Sequence, residues 1–387
     1  MIVEIKGVQF VNKGAELMLH AILEQVKNKW PNVEFVLEAN PNSLYSERIK
    51  LGAYQKISLR KNIFDFNMLS YKLPKSLRKS FKDKWGLITE ADIDVVLDAS
   101  GFSYGDQWGS LKIRHLAGEL NRAKQNGKKY IFMPQALGPF TRSNDIKYLK
   151  KNLPKADLIC AREEVSYKHI NDLIGDNENL KLFPDFTNLV NGSIPSYYNN
   201  GKEKVVIIPN SNMINKRNKN TDWVNSYLLV LCNAVKVIKS MGLIPVLLNH
   251  EGKGDGDLCL AINEQFDNSL EIIEEHDPLK VKGIIGGSKA IICSRFHGCV
   301  SALAQKTPCL GTSWSHKYEQ LFSEYSKAEG LIQPQDDLSI IEDKLKKAIS
   351  EIMDDSYVNK VEKYKSESKI MWNTVFERIS DENVKVK

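Results

Sequence analysis

Arg295 and His297 follow an apolar run, "KAIICS", and directly precede Gly298 and the small-residue stretch "CVSALAQK". Arginine is always charged and offers five donors in a planar fork that suits phosphate or carboxylate. Histidine gives or takes a proton near neutral pH. Gly298 lets the backbone come close to a ligand, and the N-terminus of a following helix favours anions. The pattern describes a place that holds an anion and moves a proton. The competing reading is purely structural: a capping Ser294, a surface arginine and a satisfied core histidine. Position favours function, because open parallel sheets bind ligands beyond the carboxyl ends of their strands.

The same rule selects residues after the other strand-like runs. Asn12 and Gly14 stand in "FVNKGAELML" and fit a tight turn before a helix. Gly101 and Tyr104 belong to "DASGFSYGDQWG", a glycine-rich turn able to expose backbone N–H groups to an anion. It is neither a Walker loop nor a GxGxxG fingerprint. Gln135 lies in the rigid loop of "MPQALGPF", where it can hydrogen-bond a ligand. Arg162 in "CAREEVS" sits at a helix start, against the macrodipole, so it needs a partner: Glu163, Asp185 of "LFPDFT", or an anionic ligand. His250 precedes Asp255 and Asp257 in "LLNHEGKGDGD", a loop whose spacing matches no metal motif. Lys317, beside Trp314 and His316, follows "TPCLGTS" and adds charge to the same crevice as Arg295.

Two alternating series of strands and helices must position these residues. The strands read as continuous apolar runs, as in parallel sheets covered on both faces. This predicts an α/β fold of two doubly wound Rossmann-like domains facing a cleft. Residues 1–190 form the first and 205–353 the second. The Gly-, Pro- and Asn-rich stretch 191–204 links them, and the helical segment 354–387 crosses back to the first. A length of 387 residues suits two domains. No apolar run approaches the ~20 residues that span a bilayer, and "MIVEIKGVQF" reads as a strand rather than a signal peptide. A cytoplasmic location is therefore expected. The six cysteines show no CxxC pair and are expected to be buried thiols. A net charge of +6 suits anionic ligands and lacks a nucleic-acid signature. Tyr71–Trp85 combines six basic residues with Leu77, Phe81 and Trp85 at helical spacing. A solvated surface helix is the plainer reading, and peripheral contact with the inner face of an anionic membrane the sharper one.

Taken in order, "NKGAELML", "DVVLDASGFSYGD", "MPQALGPF", "CAREEVS", "PDFT" and "SRFHGCVSALAQKTPCLGTSWSHKYEQLF" resemble the motifs of polysaccharide pyruvyl transferases over about residues 1–330. The last stretch is similar to that family's Ser-x-Arg-Leu-His motif, with Phe296 in place of Leu. Lys306-Thr307 stands where the family has Gly before Pro, and "DASGF" where it has three glycines. The resemblance implies a GT-B-like fold and transfer of pyruvate from phosphoenolpyruvate to a sugar, closing a ketal across two hydroxyls. It implies a cell-surface polysaccharide or its lipid-linked oligosaccharide precursor as acceptor, no cofactor besides the co-substrate, and no metal. Arg295 and Arg162 match as anion binders and His297 as acid/base. The alternatives are a GT-B glycosyltransferase using a nucleotide-sugar and a non-catalytic glycan-binding protein of the same fold.

Overall fold

In the computed structural model, the described residues are 1–381 except Lys216, Arg217, Lys219, Trp314, Ile352 and Met353. The side chain of His316 also lies outside the description. The chain forms two compact units. The first comprises residues 1–10, 18–186 and the chain from Glu367 on; the second comprises residues 11–17 and 187–366.

The first unit holds an eight-stranded parallel sheet. Its spatial order is Leu180–Leu182, Leu158–Ala161, Lys129–Gln135, Val95–Asp98, Ile2–Lys6, Glu34–Glu38, Tyr54–Lys56 and Leu87–Ile88. Strand order reverses between Ile2–Lys6 and Val95–Asp98, which makes that point the switch where a crevice opens. Ile113, Leu116 and Leu120 of the helix Ser110–Gln125 cover Val96, Tyr130 and Phe132.

The second unit holds a six-stranded parallel sheet: Glu271–Glu274, Ile244–Asn249, Lys204–Ile208, Ala290–Cys293, Cys309–Thr312 and Leu331–Ile332. Its sequence order is 3-2-1-4-5-6, the Rossmann arrangement. Alternate residues enter opposite cores. Val206, Ile208, Val246, Leu248 and Ile291 face one, and Val205, Ile207, Leu247 and Ile292 face the other. Burial on both faces explains why these strands read as unbroken apolar runs. Both units are thus the Rossmann-like α/β layers that the sequence predicts. All six cysteines are buried free thiols.

The short pieces of the first unit escape sequence patterning: the strands Tyr54–Lys56 and Leu87–Ile88, and the antiparallel hairpin Arg60–Lys61/Phe64–Asp65. The basic stretch forms a helix, Lys75–Trp85. Two of its cations are committed inside the unit, Arg78 to Asp92 and Lys82 to Glu34 at 2.5 Å. The expected terminal helix spans Asp355–Ser380. No helix among the described residues is long and apolar enough to cross a membrane.

Val3 and Ile5 point to one face of the central strand, and Glu4 and Lys6 to the other, where they are buried or nearly so. There Lys6 Nζ lies 2.5 Å from Glu119 and 2.8 Å from Tyr130 Oη. Lys56 Nζ lies 2.7 Å from Glu4 and 3.2 Å from Glu119. Burial alone would raise the Glu119 carboxyl, but Lys6, Lys56 and Arg60 override it and hold that group well below the carboxylate range. A depressed folded pKa means that this carboxylate stabilises above the unfolded value and loses its contribution as pH falls through the folded one. Glu119→Gln leaves two buried lysines short of an anion and should cost about 3–5 kcal/mol by urea unfolding at pH 7. The difference from wild type should shrink in strongly acid solution, where both lack the charge.

Candidate functional site

The strand Ala290–Cys293 lies directly across the second unit's switch point from Lys204–Ile208, so Arg295 and His297 emerge where the sheet's topology opens a crevice. The helix Phe296–Ala304 starts immediately after Arg295. Gly298 is required there, because a Cβ would sit 2.5 Å from Cys293 Sγ. Ser294 does not cap that helix. Its hydroxyl accepts from Tyr227 at 2.6 Å and Thr312 at 2.7 Å, and its carbonyl accepts from Asn210 and Tyr318, each at 2.8 Å. This network pins the strand end from both neighbouring strands.

Arg295 is buried and already carries acids. Its Nε donates to Asp255 Oδ2 at 2.8 Å and its Nη2 to Asp255 Oδ1 at 2.5 Å, a two-pronged pair. Its Nη1 donates to Glu251. Asp255 has no exposure, while the Glu251 side chain keeps 25%. Glu251 Oε2 also accepts from Asn12 Nδ2 at 2.9 Å. Asn12 Oδ1 in turn accepts from the backbone N–H of Gly14 at 2.9 Å and of Ala15 at 3.2 Å, capping the helix Lys13–Lys29. Gly14 packs on His297 so closely that a Cβ would fall 2.5 Å from His297 Nδ1. The chain thus brings Asn12, Gly14, His250, Arg295 and His297 together inside the second unit. Lys317 flanks them, its Nζ 5.2 Å from the Phe296 ring centre, and Phe296 meets His297 edge-on at 5.5 Å. Trp314 and the His316 side chain lie outside the described residues.

The candidates of the first unit form other groups. Arg162 finds both protein partners that the sequence offered, Asp185 at 3.6 Å and Glu163 at 4.0 Å. Gln135 is fully buried, with Nε2 on the Asp98 carbonyl at 2.9 Å. Tyr104 Oη donates to Asp98 Oδ2 at 2.6 Å. Gly101 adopts φ +68°, the left-handed conformation that favours glycine. At this unit's own switch point is a cavity of about 280 Å³. Lys6, Arg60, Ser100, Tyr104, Lys112 and His115 are among its lining residues.

Sequence reasoning missed Glu251 and Asp255 as partners of Arg295, and Lys6, Lys112 and His115 as cavity residues. Asp255 carried a signal, since an acid shortly after the strand Ile244–Asn249 falls on the same edge of a parallel sheet as an arginine after Ala290–Cys293. Lys112 and His115 carried none, because they sit in a helix with no motif.

A family model described as "Polysaccharide pyruvyl transferase" matches residues 12–316, from the Asn12 cap to the start of the Lys317 helix. No curated protein matches the sequence. Among solved structures, a glycosyltransferase from Rickettsia africae is 13% identical with a TM-score of 0.58, covering 100% of this chain and 99% of its own. A UDP-GlcNAc 2-epimerase from Neisseria meningitidis, bound to UDP-GlcNAc, is 11% identical with a TM-score of 0.58, covering 97% and 99%. The S. aureus MnaA–UDP structure is 15% identical with a TM-score of 0.56, covering 97% and 96%. At such identities the likeness speaks for the fold, a GT-B-like pairing of Rossmann-like units.

His250 is buried in this cluster, and its Nδ1 has no hydrogen-bond partner among the described residues. Burial first, then the charges of Arg295, His297 and Lys13, hold its imidazole well below the usual histidine range. The unfolded chain therefore takes up a proton that the folded chain refuses. Stability should fall as pH drops below about 6.5, by up to ~1.4 kcal/mol per pH unit from this group. His250→Asn should flatten that part of the profile in chemical unfolding between pH 6.5 and 5.

Proposed function

Since the chain belongs to the polysaccharide pyruvyl transferase family, we propose that it transfers pyruvate from phosphoenolpyruvate to two hydroxyls of a sugar, forming a ketal. The sugar belongs to a cell-surface polysaccharide or its lipid-linked precursor. The observation that carries this reading is the convergence of Arg295, His297 and a helix N-terminus at the second unit's switch point.

Phosphoenolpyruvate brings a phosphate and a carboxylate, so its site needs fixed cations and backbone donors. Asp255 fixes the Arg295 fork from behind. Glu251, the more exposed of the two acids, is the partner that yields Nη1 to the donor's anionic group. Lys317 and the N–H groups that open the helix Phe296–Ala304 add positive potential.

The reaction adds one proton to C3 of the enol, turning CH2 into CH3 and leaving C2 electron-poor. One sugar oxygen bonds to C2. The C2–O bond to phosphate breaks, its electron pair leaving with the phosphate, and the second sugar oxygen bonds to C2. Of the two hydroxyl protons released, one balances that gained by C3 and the other leaves with phosphate. His297 handles a proton in this sequence. Its ring is oriented by the Phe296 edge and by the bare Gly14 backbone. The first unit's cavity, lined by hydroxyls, cations and an imidazole, suits a sugar acceptor.

A second reading has one observation behind it: the S. aureus and N. meningitidis structures hold UDP or UDP-GlcNAc. Incubation with phosphoenolpyruvate and with UDP-sugars separates the two. Phosphate release that depends on the first supports the transferase, and nucleotide release supports a glycosyltransferase.

The residues should fail differently. His297→Ala should lose ~10²–10⁴-fold in kcat and still bind phosphoenolpyruvate by calorimetry. Gly14→Ala, which displaces the same ring, should lose kcat in the same direction. Arg295→Lys keeps the charge without the fork and should raise the phosphoenolpyruvate KM about ten- to a hundredfold. Glu251→Gln should lower that KM, because the competing anion is gone. A His297→Ala protein of native fold and wild-type turnover would remove His297 from the chemistry.

A further inference from the structure

The hairpin Arg60–Lys61/Phe64–Asp65 and the turn that follows it are patterned inside out. Leu59, Ile63, Phe64, Phe66, Met68 and Leu69 are each 40–57% exposed, whereas Asn67 is 1% and Ser70 2% exposed. The polar residues lock the segment down. Asn67 Oδ1 accepts from Leu59 N–H at 2.8 Å, and Asp65 takes Asn67 Nδ2 at 2.9 Å and Arg122 at 3.1 Å. His115 Nε2–H donates to the Asn62 carbonyl at 2.8 Å. Above this polar floor, Phe66 N–H donates to the Leu59 carbonyl at 2.8 Å, and the Phe64 and Phe66 rings stack at 6.0 Å. Six large apolar side chains are thus presented outward on a braced support. Monomeric soluble proteins scatter such residues singly; a contiguous group marks a contact surface.

Charge identifies the partner. Residues 57–85 contain eight basic and two acidic residues, a net of +6. That equals the net charge of the entire chain, so the remainder is balanced. Within the segment, Arg78 and Lys82 are tied to Asp92 and Glu34, and Lys79 to Asp83. Lys61, Lys72, Lys75 and Lys84 are exposed and carry no ion pair among the described contacts. Lys61 lies within the apolar group in sequence and Lys72, Lys75 and Lys84 follow it, while Leu77 and Trp85 of the adjoining helix, both exposed, add to the apolar side chains. Apolar anchors with a cationic surround are the combination that holds a protein in the headgroup layer of an anionic bilayer.

We propose that residues 59–72 dock this protein on an anionic lipid surface, with Phe64, Phe66 and neighbouring apolar side chains in the acyl–headgroup boundary and the exposed lysines on the headgroups. The helix Lys75–Trp85 assists through its free lysines and Trp85, while the hairpin is the inserting element. The proposal stands apart from the transferase reading, because it needs no substrate.

Flotation of the full chain with phosphatidylcholine vesicles containing 30% phosphatidylglycerol tests it. The wild type should float with them at low salt, detach as salt rises and ignore pure phosphatidylcholine. Phe64→Ser/Phe66→Ser changes only exposed side chains and should lower vesicle partitioning more than about tenfold, with an unchanged circular dichroism spectrum. Lys61→Glu/Lys72→Glu should do the same. Phe64→Trp should shift its emission to the blue on anionic vesicles relative to wild type. The proposal is overturned if the wild type ignores anionic vesicles, or if Phe64→Ser/Phe66→Ser partitions like wild type. It is also overturned if sedimentation shows a vesicle-free dimer that Phe64→Ser/Phe66→Ser converts to monomer, since the patch would then join two copies of the chain.

Discussion

A guanidinium cannot be buried alone, and the second unit is organised around meeting that demand for Arg295. Asp255 supplies two oxygens from the helix Gly252–Glu264 and is itself held by the Ser211 N–H at 3.0 Å. Glu251 supplies a third oxygen and passes the link to Asn12. One charge therefore fixes the register of the first helix's cap, the loop after Ile244–Asn249 and the strand end at Cys293. Partner loss around a buried ion is costly because the remaining charge stays desolvated. The arrangement gives the arginine a single geometry, which a ligand-binding cation requires and a surface arginine lacks.

The two switch points solve different problems with the same topology. In the second unit the braced Arg295, flanked by Lys317, lies with His297 and the buried His250, and the side chain of Glu251 keeps part of its exposure. In the first, Glu4, Asp98 and Glu119 are interleaved with Lys6, Lys56 and Arg60 beneath the cavity. There each charge is answered locally, so the cavity meets a ligand with polar contacts rather than with a strong net field.

How far the sequence could be read depended on distance and direction. Arg295 and His297 were legible because a continuous apolar run dates the strand end to within a residue or two. That rule places a residue and does not aim it. Tyr104 does sit after a strand, whereas Gln135, expected in a loop, is the last residue of the strand Lys129–Gln135; Tyr104 Oη and Gln135 Nε2 both turn to Asp98. The Asn12–Glu251 contact spans 239 positions, and no local pattern announces it. The hairpin before Asn67 was opaque for the opposite reason. Its strands are two residues long, and its apolar side chains point outward, so alternation suggested nothing. Arg78 and Lys82 looked like free surface charge because their partners, Asp92 and Glu34, are remote or on another element.

Asn12 and Gly14 precede His250, Glu251 and His297 in the chain by some 240–280 positions. At ~5–20 residues per second, the helix cap waits tens of seconds for the loop that it must join. During that interval the strand Ile2–Lys6 can already pair with its neighbours of the first unit, whereas residues 11–17 have no second unit to enter. The nascent chain thus carries a pending seam at residues 11–17. A long-range closure of this kind belongs to the late, slow class of folding events. The cluster around Arg295 and His297 is then closed only once the second unit has been made, and a shorter chain holds no premature version of it.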